Sequence, residues 1–165
     1  MNTNIPIENF LEFFPVAELP LTIGEETVRA ISHSTEPLPG SLIEAFIHPL
    51  EEAMVNEEFT EFVACLQFPH QEKYTAIVYW RADLLQYHYV LVTLDKVTGE
   101  MIARQVIAGT SFDGEELLQS SAAITEDLTV YIVSGQGQAM DYDYSASGST
   151  AQRYQVTSQG KIIEV

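Results

Sequence analysis

Cysteine is nearly absent from this chain of 165 residues, in which Cys65 is the only one. A lone cysteine excludes a disulfide bond within the chain and a zinc site built from several cysteines. Its neighbours in FVACLQF are apolar, which is typical of a buried, unreactive thiol. The sequence therefore predicts neither a disulfide-stapled fold nor cysteine-based catalysis.

Basic residues are also scarce. Seven lysines and arginines stand against 24 aspartates and glutamates, which gives a formal net charge of −17. Residues 1–72 are the most unbalanced part, with 13 acids and only Arg29 as a base. Such a surface repels phosphate backbones and anionic lipids, so we expect no nucleic-acid partner and no membrane partner. A basic protein is the partner that the charge favours, although a need for solubility accounts for the same composition.

The acids are densest just before the middle of the chain. From this density we predict an acidic surface made by five glutamates: Glu51, Glu52, Glu57, Glu58 and Glu61. Small acidic proteins that neutralise a basic toxin or a nucleic-acid-binding protein share this size and charge. The analogy rests on size and charge alone, because no motif accompanies it.

Long apolar runs are missing as well. None approaches the roughly 18 residues that a membrane-spanning helix needs. At the N-terminus no lysine or arginine precedes the apolar part, and Glu8 and Glu12 interrupt it, so the segment fails as a secretory signal. The expected location is the cytoplasm, and the sequence is also compatible with a leader that was removed.

Catalytic and cofactor motifs are missing too. The chain has no Gly-x-Ser-x-Gly elbow, no dinucleotide-binding glycine pattern and no Walker-type lysine. Its four histidines do not form a metal-binding spacing. We therefore predict no catalytic residue, no cofactor and no metal. The alternative is a small-ligand-binding or hydrolase-type domain with a pocket between helices and sheet, holding His48 or His88 beside a carboxylate of shifted pKa.

The stretch MDYDYSASGST, residues 140–150, resembles a cation-binding loop at first sight. An EF-hand loop that began at Asp141 would place Ala146 where glycine is needed and Gln152 where a bidentate glutamate is needed. Both decisive positions fail, so we predict a long connection between two strands. Its exposed aromatic residues, Tyr142 and Tyr144, are the candidates for recognition.

The pattern of apolar residues changes near Phe62. Residues 1–61 combine short helical patterns with prolines and extended pieces, whereas residues 62–165 alternate apolar and polar residues between short turns. Strands joined by short turns must be antiparallel. The prediction is a single α+β domain: an antiparallel β-meander of seven or eight strands, with a short N-terminal helical segment covering one face.

Aromatic residues within the predicted strands offer one further candidate site. Trp80, Arg81 and Tyr87 would form an anchor patch for a protein partner if they gather at the end of a hairpin. The alternative for these residues is core packing. A third functional hypothesis is a structural homodimer, paired through an exposed edge strand such as the C-terminal KIIEV.

Overall fold

Short helical pieces precede a long succession of β-strands. The computed structural model describes residues 5–33, 35–51, 59–112, 114–138 and 149–165. The helical elements are α1 (Ile7–Leu11), α2 (Thr27–Ser32) and α3 (Gly40–Leu42), which continues into a π-helical turn (Ile43–Ile47) and a 3-10 turn (His48–Leu50). The strands are β1 (Leu21–Ile23), β2 (Glu61–Gln67), β3 (Tyr74–Ala82), β4 (Gln86–Asp95), β5 (Met101–Phe112), β6 (Glu116–Ile124), β7 (Thr129–Gln138), β8 (Ser149–Val156) and β9 (Ile162–Glu164).

Strands β2 to β9 form one antiparallel meander. They lie side by side in chain order, and each pairs with the next. Most connections are only a few residues long, which leaves a strand no path except back along its neighbour. The predicted α+β meander with an N-terminal helical segment is confirmed.

The turn between β4 and β5 shows how local sequence produces these reversals. Gly99 has a φ angle of 75°, a left-handed conformation that costs glycine little and other residues more. The Asp95 carboxylate accepts hydrogen bonds from the backbone N–H groups of Val97 and Thr98, at 2.8 and 2.9 Å. These bonds satisfy donors that the tight turn leaves without a strand partner.

The central strands β3 and β4 are buried on both faces. One face packs under α1, α3 and the turns that follow α3. The other face packs against β1 and the strands β6 to β8. Burial is continuous along β4 from Tyr89 to Leu94, as expected for a strand whose apolar residues point both ways. The molecule therefore has three layers: a helical cover, the β2–β5 part of the sheet and the β6–β9 part.

A corner between β5 and β6 separates the second layer from the third. The two strands pair only between Gly109–Phe112 and Leu117–Ser120, and the last three residues of β6, 122–124, pair with β1. A bulge in β5, opposite Tyr89 and Val90, bends the strand just before this corner. The sequence predicts extended chain near β1 but not its pairing, because three residues are too short for a pattern.

The helical cover is held down mainly by aromatic rings. Phe10 and Phe14 are fully buried and meet edge to face, with ring centroids 4.9 Å apart. Phe46 stacks on Phe10 at the same distance. Burial of one such ring contributes about 2 kcal/mol. The Gln67 side chain of β2 adds hydrogen bonds to the carbonyl oxygens of Leu11 and Phe14, so the cover is fixed to the edge of the sheet.

The predicted cover of residues 1–61 is divided in the structure. Ile23 lies in the core between the second and third layers, and Val28 and Ile31 of α2 pack against that core. The Tyr89 hydroxyl donates to the Gly24 carbonyl and accepts from the Val28 N–H, both at 2.9 Å. Among the described residues, those from 5 to 14 and from 38 to 51 make up the helical cover itself.

Candidate functional site

The surface of the N-terminal part is strongly acidic. Within residues 5–51, Arg29 is the only lysine or arginine, and it is exposed beside Glu26 at 3.8 Å. Seven glutamates of this part are exposed, and we call them the glutamate surface: Glu8, Glu12, Glu18, Glu25, Glu26, Glu36 and Glu44. Exposed carboxylates in such excess over bases attract cationic molecules over a distance of about 10 Å at moderate salt.

The five glutamates predicted as an acidic surface have different outcomes. Glu61 is exposed at the start of β2. Glu52, Glu57 and Glu58 lie outside the described residues. For Glu51 the prediction is wrong, because its side chain is 0% exposed and lies between two arginines of the sheet.

Glu51 is the centre of a buried ion cluster formed by Glu51, Arg81, Asp83 and Arg104. One Glu51 carboxylate oxygen lies 3.2 Å from Arg81 Nη1, and the other accepts a hydrogen bond from Arg104 Nη2. Arg81 Nε donates to Asp83 at 3.0 Å. Thr60 donates its hydroxyl to Asp83 at 2.7 Å. The cluster thus fixes the end of the helical cover, at residue 51, to both β3 and β5.

The ionisation of the groups around this cluster follows from their surroundings. Burial alone would raise the pKa of Asp83, but hydrogen bonds from Arg81 and Thr60 outweigh it and place the pKa below its ordinary value. The Tyr79 hydroxyl borders the cluster, and its pKa is raised by burial first and by the charge of Glu51 second. These are the properties of a structural ion cluster, in which buried carboxylates are paired with arginines.

The predicted anchor patch of Trp80, Arg81 and Tyr87 is not formed. Trp80 pairs with Tyr89, and Arg81 pairs with His88. Because alternate residues of a strand face opposite ways, Trp80 and Tyr87 share one face of the sheet, with ring centroids 5.7 Å apart. Arg81 lies on the other face, 4% exposed under the helical cover. Trp80 packs against the core between the layers, as the core-packing alternative expected. Tyr142 and Tyr144 lie outside the described residues.

His88 lies on the cover side of the sheet, opposite Arg81 in the pairing of β3 and β4. Burial lowers the pKa of its imidazole, and the attraction of Glu51 for a charged ring only partly offsets this effect. The other histidine considered for a pocket, His48, is half-buried, and its ring centroid lies 6.1 Å from that of Phe62. A neutral His88 could accept a proton, but the carboxylates near it are already paired with arginines.

The lowered pKa of His88 predicts a loss of stability in mild acid. Between the lowered pKa and the ordinary value of 6.5, the unfolded chain binds a proton that the folded chain does not. Stability therefore falls as the pH drops below 6.5. His88→Gln removes this proton, so the variant should lose less stability than the wild type between about pH 7.5 and about pH 5.5 in urea unfolding.

The control for this pH prediction is Gln86→Asn, at an exposed position of the same strand. This substitution changes no titratable group, so the variant should keep the full wild-type loss over the same pH interval. An equal loss in wild type and His88→Gln would contradict the assignment. The contribution of Asp83 is separable, because its stabilisation is lost only below the ordinary carboxyl value of 3.8.

A cleft at the corner between β5 and β6 was not indicated by any sequence motif. It has a volume of about 310 Å³, and its walls include Tyr87, Tyr89, Thr110 and Val133. Glu25 is the only charged residue among its lining residues. An open, nearly uncharged hollow of this size has the dimensions of a small-ligand site, but it lies between β-strands and not between the helical cover and the sheet.

The remaining candidates for a functional role are a reactive cysteine, a metal site and a membrane-spanning helix. Cys65 is buried in the core between the second and third layers, where burial raises the pKa of its thiol to about 12 and makes it unreactive. Among the described residues, no group of three or more His, Cys, Asp or Glu side chains could hold a metal ion. No helix in the described ranges has the length and apolar character to cross a bilayer.

Comparison with known proteins adds no assignment. A scan against protein-family models, a search of curated proteins and a search of solved structures each found no match to this chain.

Proposed function

We propose that this protein is a non-catalytic interaction module that binds a basic protein through the glutamate surface. The observation that carries the proposal is the segregation of charge. Seven glutamates of residues 5–51 are exposed beside a single arginine. Two of the other arginines, Arg81 and Arg104, have side chains only 5% and 17% exposed and are paired with the carboxylates of Glu51 and Asp83, so they do not weaken the negative field of the surface.

A surface of this kind acts mainly on the rate of association. Exposed carboxylates attract a cationic partner before contact, which raises the association rate above the value for uncharged surfaces. Each exposed ion pair then contributes only a few tenths of a kcal/mol to affinity. Binding should consequently be fast and should weaken as salt increases, because salt screens charges at the surface.

The test uses a Lys- and Arg-rich peptide as the probe and compares two triple variants with equal changes in net charge. Glu8→Gln, Glu12→Gln and Glu44→Gln remove three carboxylates of the glutamate surface. At a few tenths of a kcal/mol each, three lost ion pairs should weaken binding about fivefold to tenfold at low salt. The variant should also depend less on salt than the wild type, because fewer charges remain to be screened. Fluorescence titration between low and high salt measures both quantities.

The matched control removes three exposed carboxylates that lie in the β6–β9 part of the chain: Glu116→Gln, Glu126→Gln and Glu164→Gln. This variant should stay within about twofold of the wild type, since long-range attraction from distant charges is screened. An equal loss in both triple variants would mean that net charge alone, and not the glutamate surface, drives binding. Binding that does not change with salt would also contradict the proposal.

A further inference from the structure

The cleft at the corner between β5 and β6, which we call the corner cleft, is built on one row of residues across the sheet. The register places the row on four neighbouring strands, from β4 to β7: Tyr87, Thr110, Gln119 and Gly135. Directly paired residues lie on the same face of a sheet, so the side chains of this row project together. Gly135 has no side chain, which leaves a hollow at the end of the row, where a ligand can approach the backbone.

The turn after β1 forms another part of the wall. The fully buried Tyr89 donates its hydroxyl to the Gly24 carbonyl and accepts a hydrogen bond from the Val28 N–H, both at 2.9 Å. These bonds hold the turn against the sheet, and two of its residues, Gly24 and Glu25, line the corner cleft. The cleft is therefore fixed by the core of the protein on this side.

The corner cleft contains uncharged polar groups that the protein itself does not use. Among the described residues, four of its side chains have no hydrogen-bond partner: Tyr87, Thr110, Gln119 and Ser121. Their hydroxyl and amide groups both donate and accept hydrogen bonds. A ligand that entered without matching them would leave these groups unsatisfied, which costs free energy. The ligand that fits must therefore be polar.

The charges of the corner cleft decide between the classes of polar ligand. An anion would be repelled by the net charge of −17 and would find no lysine or arginine among the described residues that line the cleft. A cation would find one carboxylate, that of Glu25, which is exposed, and an exposed ion pair contributes little to affinity. An uncharged ligand with several hydroxyl groups is the class that matches the lining.

We propose that the corner cleft binds a neutral sugar. The hydroxyl groups of the sugar exchange hydrogen bonds with Thr110, Gln119 and Ser121, and the Glu25 carboxylate accepts one more. The C–H face of the sugar ring packs on the ring of Tyr87, which is apolar in its body and polar at its tip. The volume of about 310 Å³ lies at the lower end of the range for ligand sites, so it fits a single sugar ring. This site goes beyond the proposed function.

The experiment uses the single tryptophan as the reporter, because the ring centroid of Trp80 lies 5.7 Å from that of Tyr87. The probes are glucose, galactose, mannose and N-acetylglucosamine. Several new hydrogen bonds of ordinary net strength correspond to a dissociation constant of about 1 mM, so each probe is titrated to about 100 mM. At least one should change the fluorescence saturably. Cyclohexanol, a ring with one hydroxyl group, should bind at least about tenfold more weakly than that sugar.

Two variants test the assigned contacts. Thr110→Val and Gln119→Leu each remove a hydrogen-bonding group with little change in side-chain size, and each should raise the dissociation constant of the sugar about fivefold. The matched control is Thr75→Val. Thr75 pairs with Leu94, at the end of the β3–β4 hairpin opposite to Tyr87, so the same chemical change there should leave sugar binding unaltered.

Three results would overturn the proposal. The first is that none of the four sugars binds at the highest concentration. The second is that cyclohexanol binds as tightly as the sugars, which would make the corner cleft an apolar site. The third is that both cleft variants bind the sugar as the wild type does. Because a sugar is uncharged, its binding should not change with salt, whereas the basic partner should dissociate, so the two proposals can fail separately.

Discussion

Replacing Glu51 by glutamine is expected to lower the free energy of unfolding by about 3 kcal/mol. Glutamine keeps the shape of the side chain but removes its charge, which leaves Arg81 and Arg104 facing one another without their shared carboxylate. Removing one partner of a buried ion pair typically costs about 3–5 kcal/mol. The lower end applies here, because Arg81 keeps its contact with Asp83 and the Arg104 side chain is 17% exposed. Urea unfolding at neutral pH measures the loss.

Glu44→Gln is the matched control for this prediction. Glu44 belongs to the π-helical turn of the same helical cover but is exposed, so its neutralisation should change stability by less than about 0.5 kcal/mol. Equal losses in the two variants would show that Glu51 acts through the general charge of the protein. A loss of less than about 1 kcal/mol for Glu51→Gln would show that water enters the cluster and screens the arginines.

The buried ion cluster connects the fold to the proposed function. Without Glu51, Arg104 would lose its carboxylate partner beneath the helical cover and Arg81 would keep only Asp83, close to a surface that is proposed to attract cations. With Glu51 in place, the cluster fixes residue 51 to β3 and β5 and keeps both positive charges paired. The same carboxylate thus positions the helical cover and preserves the negative field of the glutamate surface.

The strands were predictable because their signals are local. In β4 the residues from Tyr89 to Leu94 are apolar or small on both faces, which indicates a central strand, and the structure buries all of them. The hairpin of β4 and β5 follows from the Asp95 side chain and from Gly99 within a few residues of chain. Alternation and turn residues need no knowledge of distant neighbours.

The buried ion cluster was not predictable in the same way. Glu51 and Arg104 are 53 residues apart, and nothing beside Glu51 distinguishes it from the exposed glutamates near it in the sequence. A partial signal exists in the strands, since Arg81 and Arg104 are single bases in otherwise apolar or uncharged stretches. A charged residue at such a position predicts a buried partner, although it does not identify that partner.

The anchor patch was a prediction that local rules could have corrected. Trp80 and Arg81 are adjacent in one strand, so the period of two places them on opposite faces whatever the fold.

The corner between β5 and β6, in contrast, could not be predicted from local rules alone. A glycine inside an apolar strand, Gly109, suggests a bulge or a close backbone contact, but its partner in β4 becomes known only from the register.

Gly109→Ala is expected to destabilise the protein by about 3 kcal/mol or more, because a side chain at this position meets backbone that cannot move freely. A Cβ atom on Gly109 would lie 2.4 Å from the carbonyl oxygen of Tyr87 and 2.7 Å from the Cα atom of His88. Its φ angle of 153° is also one that other residues rarely adopt. Relief of the clash would require β4 and β5 to separate next to the corner. Thermal and urea unfolding measure the loss.

The comparison that isolates this contact is Gly40→Ala at the start of α3. A Cβ atom there meets nothing within 4 Å, and alanine reduces the freedom of the unfolded chain, so stability should stay constant or rise by about 0.4–1 kcal/mol. Opposite signs for the two substitutions would assign the effect to the packing of β4 against β5. If Gly109→Ala were as harmless as Gly40→Ala, the backbones of β4 and β5 would not be in close contact at Gly109. The corner between the second and third layers would then be misplaced at that point.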